Sequence, residues 1–106
     1  MKDIRSVSVE RLFRAIRTLK TDDEFYAFFK DICTVNEIQD MAQRLDTAIL
    51  LSEGKNYTEI CEAVNVSTAT ISRVSRCLNY GEGGYQKVIE NLKNETADIA
   101  PAEADA

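Results

Sequence analysis

The run Thr68-Ala69-Thr70-Ile71-Ser72-Arg73, followed by Arg76, holds the side chains best suited to chemistry. Thr, Ser and Ala are short, and they present hydroxyls or methyl groups that fit base edges and the thymine methyl in a DNA major groove about 12 Å wide. Arg73 and Arg76 supply planar donors for guanine or phosphate. The plainer reading of the same residues is the solvated face of a helix in a bundle. Catalytic chemistry is much harder to assemble. The chain has no histidine, which removes Ser-His-Asp and Cys-His nucleophiles and His-containing zinc sites together. Cys33, Cys61 and Cys77 are odd in number and too far apart for a Cys-x-x-Cys pair, so they read as reduced, mostly buried thiols. Asp22-Asp23 belongs to a helix start, and no acid, base and nucleophile converge on one place. The chain reads as neither enzyme nor metalloprotein, and no cofactor is expected.

The arginines and hydroxyls need an element to hold them. Ser67 is placed to cap a helix that starts at Thr68, in which Ile71, Val74 and Leu78 recur at i, i+3 and i+7 and turn one face inward. The opposite face then carries Thr68, Ala69, Thr70, Ser72, Arg73 and Arg76. Upstream, Thr58 is read as the cap of a short helix from Glu59 to Val64, with Ile60, Ala63 and Val64 inward. Asn65-Val66-Ser67 makes the turn between the two. A short buried helix, a three-residue turn and a second helix with a small polar face describe a helix-turn-helix over about 58–78. An αα-hairpin without any DNA role shares the bare pattern.

The rest of the chain reads as helical, giving an all-α fold of about six helices. Val9, Leu12, Phe13, Ile16 and Leu19 form one stripe on a helix over about 8–19, with Arg11, Arg14 and Arg17 opposite. Thr21 and Glu24 form a capping box for a second helix, whose Phe25, Phe28, Phe29 and Ile32 are expected in a core. The signal repeats at Thr34 and Glu37 and opens the longest helix, about 37–53, with Ile38, Met41, Ala42, Leu45 and Ile49 inward and Gly54 as its left-handed stop. Gly81-Glu82-Gly83-Gly84 reads as a flexible hinge. No strand precedes it and no Lys-Ser/Thr follows, so it is not a phosphate-binding loop. A last helix over about 85–93 offers Tyr85, Val88, Ile89 and Leu92.

At 106 residues with one proline and four glycines, the chain suits one domain, 1–93, followed by an acidic segment, 94–106, expected to be disordered. The formal charge of −5 is concentrated: residues 94–106 hold four acidic side chains and no basic one. A neutral-to-basic face elsewhere therefore remains compatible with a nucleic-acid partner. No apolar run is long enough for a membrane span, and the start Met-Lys-Asp-Ile-Arg lacks the apolar stretch of a signal peptide, so a cytoplasmic address is expected. The apolar stripes exceed what so short a chain hides by itself, which predicts a homodimer.

Ala69-Thr70-Ile71-Ser72-Arg73, between Val64 and Leu78, resembles the recognition region of the Trp repressor superfamily. Thr34-Val35-Asn36-Glu37 through Ala42-Gln43-Arg44 to Gly54 resembles its long central helix at nearly the same spacing. The likeness is good over about residues 30–80 and closest to the small Trp-repressor-related proteins of Gram-positive bacteria. It implies an intertwined homodimer with two recognition helices about one DNA turn apart, on a pseudo-palindromic operator. It implies DNA contacts at Ser67, Thr68, Ala69, Thr70 and Ser72, with Arg73, Lys55, Thr58 and Arg76 alongside. Basic residues on the first helix of the family's motif are replaced here by Thr58 and Cys61. The resemblance also implies an effector pocket at Thr34, Arg44, Arg73, Val74 and Cys77, where the family's arginines sandwich the indole of L-tryptophan. Val74 stands where that family has glycine and Cys77 where it has serine, and both changes disfavour tryptophan.

The function expected on this basis is a sequence-specific, homodimeric transcriptional regulator, a repressor, that does not respond to tryptophan. The alternative is a helical protein-interaction module that keeps the helix-turn-helix only as scaffold.

Overall fold

The computed structural model describes residues 3–96, and within them every regular element is helical. The order is α1 (Val7–Arg17), α2 (Asp22–Ile32), α3 (Val35–Ser52), α4 (Tyr57–Val64), α5 (Thr68–Tyr80) and α6 (Gly84–Thr96). No helix among the described residues is long and apolar enough to cross a membrane. The chain divides between Gln39 and Asp40 into two compact units, and α3 runs through the division.

In the N-terminal unit, Ser6 caps α1 by accepting from the Val9 N–H at 3.1 Å. The expected capping box of α2 is present: Thr21 Oγ1 accepts from the Glu24 N–H, and the Glu24 carboxylate accepts from the Thr21 N–H. Thr34 and Glu37 exchange the same pair of bonds, at 3.0 and 2.8 Å, so α3 starts at Val35 rather than at 37. Helix α1 starts one residue before the expected 8 and stops at Arg17, where Thr18 folds back onto the Ala15 carbonyl. Phe28 and Phe29 meet edge to face at 5.6 Å, and Phe25 stacks along Phe29 at 6.5 Å. Yet the aromatic stripe is not a closed core. Phe25 and Ile32 are exposed, and neither α1 nor α2 has one fully buried residue.

The C-terminal unit does have a core. Ala48, Val74 and Ile89 pack together, with Ile49, Leu51, Leu78 and Tyr85 against them, and Ile60 and Ile71 are fully buried. On α3 the buried positions are Thr47 and Ala48, whereas Met41 and Ala42, expected inward, are exposed. Thr47 tolerates burial because its hydroxyl donates to the Gln43 carbonyl at 2.7 Å. Gly54 takes φ +86 just beyond α3, as the stop requires.

The α4 cap differs from expectation. Asn56, not Thr58, accepts from the Glu59 N–H at 2.8 Å, and Glu59 returns the bond to the Asn56 N–H at 2.9 Å. The reciprocal pair satisfies two orphan donors where a lone Thr58 hydroxyl would satisfy one. The helix therefore begins at Tyr57, and Thr58 is an exposed residue of its first turn.

The segment after α5 is tied rather than free. Gln86 Nε2 donates to the Leu78 carbonyl at 2.8 Å, and Gly81 N–H donates to the Cys77 carbonyl at 2.9 Å. A Cβ at Gly81 would strike that carbonyl oxygen, so only glycine makes the exit. Helix α6 extends to Thr96, three residues into the segment expected to lack structure; the remainder, 97–106, lies outside the described residues.

Candidate nucleic-acid interface

Helices α4 and α5 pack against each other through a three-residue connection, Asn65 to Ser67. Asn65 turns the chain with φ 62 and ψ 50, a left-handed conformation that asparagine tolerates better than most residues. Val66 is half-buried beneath the turn. Ser67 then caps α5, accepting from the Thr70 N–H at 3.1 Å while its own proton goes to Thr70 Oγ1 at 3.1 Å. Its hydroxyl is therefore committed to the cap, which makes Ser67 a poor donor to DNA. Thr70 keeps its proton.

Burial separates the two faces of α5 as the spacing predicts: Ile71 and Val74 are buried and Leu78 is half-buried. Thr68, Ala69, Ser72, Arg73 and Arg76 are all exposed, and Thr70 is half-buried. Lys55 and Thr58 are exposed at the start of the α4 region. Among the described residues, the Lys55, Arg73 and Arg76 side chains have no ion pair or hydrogen bond, so all three cations are open to an anionic partner.

Behind this row lies a cleft of about 250 Å³, lined by Asp40, Gln43 and Arg44 from α3 and by Thr70, Arg73 and Val74 from α5. Each helix contributes residues at i, i+3 and i+4, one face of a helical turn. Of the effector positions expected from the sequence, Arg44, Arg73 and Val74 meet here. Val74 is only 2% exposed and forms the floor, packed on Ala48 and Ile89. Cys77 is exposed, a turn beyond Arg73, and does not line the cleft. Thr34 belongs to the N-terminal unit, where it caps α3. Asp40 and Gln43 also line it and are not among the positions expected from the sequence. The thiols are less buried than expected: Cys33 and Cys61 are half-buried and all three are free. No cluster of metal-ligating side chains occurs among the described residues.

The family model described as Trp repressor protein matches residues 7–93. A solved TrpR-like protein from Eubacterium eligens is 50% identical and superposes with a TM-score of 0.83, covering 85% of this chain and 93% of its own. A solved Staphylococcus aureus structure is 42% identical with a TM-score of 0.82, covering 85% and 90%. The uncharacterised protein YerC of Bacillus subtilis is 48% identical over 90 residues, 85% of this chain and 86% of that protein. The chain belongs to the Trp repressor family, a family of DNA-binding regulators, and is similar to its TrpR-like members in Gram-positive bacteria.

Proposed function

We propose that this protein is a cytoplasmic, sequence-specific DNA-binding regulator, a repressor, which acts as a homodimer on a pseudo-palindromic operator. The observation that carries the reading is the row Thr68, Ala69, Ser72, Arg73 and Arg76. It is exposed on the helix that follows a tight turn, and its cations have no partner among the described residues. That is what a recognition helix in a helix-turn-helix offers a major groove. The homodimer is supported by the N-terminal unit, whose apolar side chains find no full burial within one chain. The alternative is a helical dimer that binds another protein through its acidic surface and keeps the helix-turn-helix only as scaffold; the unpaired cations along α5 favour DNA over it.

The cleft between α3 and α5 is the place for an effector, and L-tryptophan is not its ligand in this reading. Val74, buried at the cleft, stands where the family has glycine, and Cys77 stands where it has serine, which supports this reading. No metal or other cofactor enters the proposal.

The test is selection of bound fragments from random duplex DNA by the purified protein, with Arg73→Ala and Thr70→Ala in parallel, each with and without L-tryptophan. A two-fold symmetric motif that both variants lose and that tryptophan leaves unchanged is expected. Unenriched DNA from the wild type under both conditions would turn the reading towards the interaction module.

A further inference from the structure

We infer that the arginine face of α1, made by Arg11, Arg14 and Arg17, is a second DNA surface that grips phosphates without reading sequence. The inference rests on the DNA-binding reading above and extends it to the N-terminal unit. Residues 3–20 carry five basic and two acidic side chains in a chain whose formal charge is −5. Four of the seven arginines lie between positions 5 and 17. The other three, Arg44, Arg73 and Arg76, belong to the cleft and to the row on α5, whereas the lysines are scattered along the chain. Arginine is the cation whose planar fork matches phosphate oxygens two at a time.

The ordinary roles of helix arginines leave this face unexplained. Arg11, Arg14 and Arg17 are exposed, while Val9, Leu12, Ile16 and Leu19 are half-buried. A solvated helix face gains support from opposite charges at i and i+4. Glu10 stands four residues before Arg14, yet that pair does not form, and among the described residues none of the three guanidiniums has an ion pair or hydrogen bond. The helix dipole accounts for cations in the last turn, Arg14 and Arg17. It does not account for Arg11 in mid-helix, and it opposes Arg5, which precedes the Ser6 cap. A polyanion accounts for all of them. Arginines at intervals of three residues span about 9 Å of the helix axis and fan over about 120°. One strand of DNA carries a charge every roughly 3.4 Å of its axis, so that span matches two or three phosphates. Between the arginines stand Leu12, Phe13, Ala15 and Ile16, none with a hydrogen-bonding side chain, so the stretch offers charge and no code for bases.

The experiment is fluorescence anisotropy of the full chain across a salt series, with the operator fragment recovered by selection and with a scrambled duplex of equal length. The triple variant Arg11→Gln, Arg14→Gln, Arg17→Gln is expected to weaken both duplexes by the same factor, roughly tenfold at about 0.1 M salt, and to flatten the slope of log affinity against log salt by roughly two to three. The matching triple change to lysine is expected to keep the slope and lose only part of the affinity, because charge stays and the fork goes. Arg73→Ala, run alongside, is expected to hurt the operator fragment more than the scrambled one. Circular dichroism melting checks that the triple variants stay folded; where the glutamine triple melts early, Arg11→Gln alone replaces it, with an expected flattening of roughly one. Wild-type affinity and slope in the glutamine variant, with Arg73→Ala still damaging, overturn the inference and leave the regulator intact. So does a loss confined to the operator fragment, which would make α1 a reader of bases. A loss in the glutamine variant with none in Arg73→Ala keeps the α1 surface and overturns the recognition-helix reading. Failure of the wild type to bind either duplex overturns both.

Discussion

The two units of this chain are built from equally clear helical signals and end up in different physical states. The C-terminal unit closes a core on itself: Ile60 and Ile71 are wholly removed from solvent, and Val74 and Ile89 nearly so. The N-terminal unit has perfect caps and a continuous aromatic stripe, but Tyr26 is 70% exposed and Ile32 52% exposed, and no described residue up to Gln39 is buried. An apolar cleft of about 190 Å³ among Phe25, Tyr26, Phe29 and Ile38 stays open. Good helices are therefore not the same thing as a stable domain. Capping sets where a helix starts, whereas stability comes from the apolar area it removes from water. The C-terminal unit finds that area inside one chain, and in the proposed homodimer the N-terminal unit finds it in a second copy.

The sharpest way to break this comparison is in the closed core. Ile71→Ala is expected to cost about 3 kcal/mol, and the loss is the same at any protein concentration, read by urea denaturation followed by circular dichroism. A smaller effect is expected from concentration itself. A hundredfold rise in protein stabilises a dimer by about 2.7 kcal/mol, so the wild-type melting midpoint climbs; a midpoint that does not move breaks the contrast between the units. The smallest effect separates the two capping boxes. Thr21→Ala and Asn56→Ala should each cost about 1 kcal/mol. In dilute protein, where the dimer has dissociated, the Thr21 cost shrinks and the Asn56 cost persists. Equal costs at both concentrations would mean that the N-terminal helices hold themselves.

Local signals made most of the fold legible. Ser67, Thr21 and Thr34 announce helix starts with a polar side chain and, for the last two, a glutamate three residues on. The Asn56-x-x-Glu59 box was equally present in the sequence, but it competed with Thr58 two residues later, and spacing alone does not rank two caps. Helix α3 misled for another reason: its apolar stripe runs past the stretch that is buried within the chain, so the exposed Met41 and Ala42 read like core, while Thr47, buried with its hydroxyl bonded to the Gln43 carbonyl, reads like surface. At the site, the exposed face of α5 was readable because an inward stripe fixes the outward face by subtraction. Asp40 and Gln43 in the cleft were not readable in that way. Polar surface residues have no periodicity of their own, and the partner that gives each its meaning lies far along the chain.

The tie at the far end of α5 has a mechanical meaning. Gln86 of α6 holds the Leu78 carbonyl near the end of that helix, and at its other end, 13 residues along, Thr68 follows the Ser67 cap and the turn from α4. A helix of that length is a rigid rod of about 20 Å. With α4 packed against it and α6 bonded to its far end, such a rod passes a displacement of one neighbour on to the other instead of absorbing it. In the proposed complex, DNA held along α5 is therefore coupled to α6, and a change at α6 to the DNA.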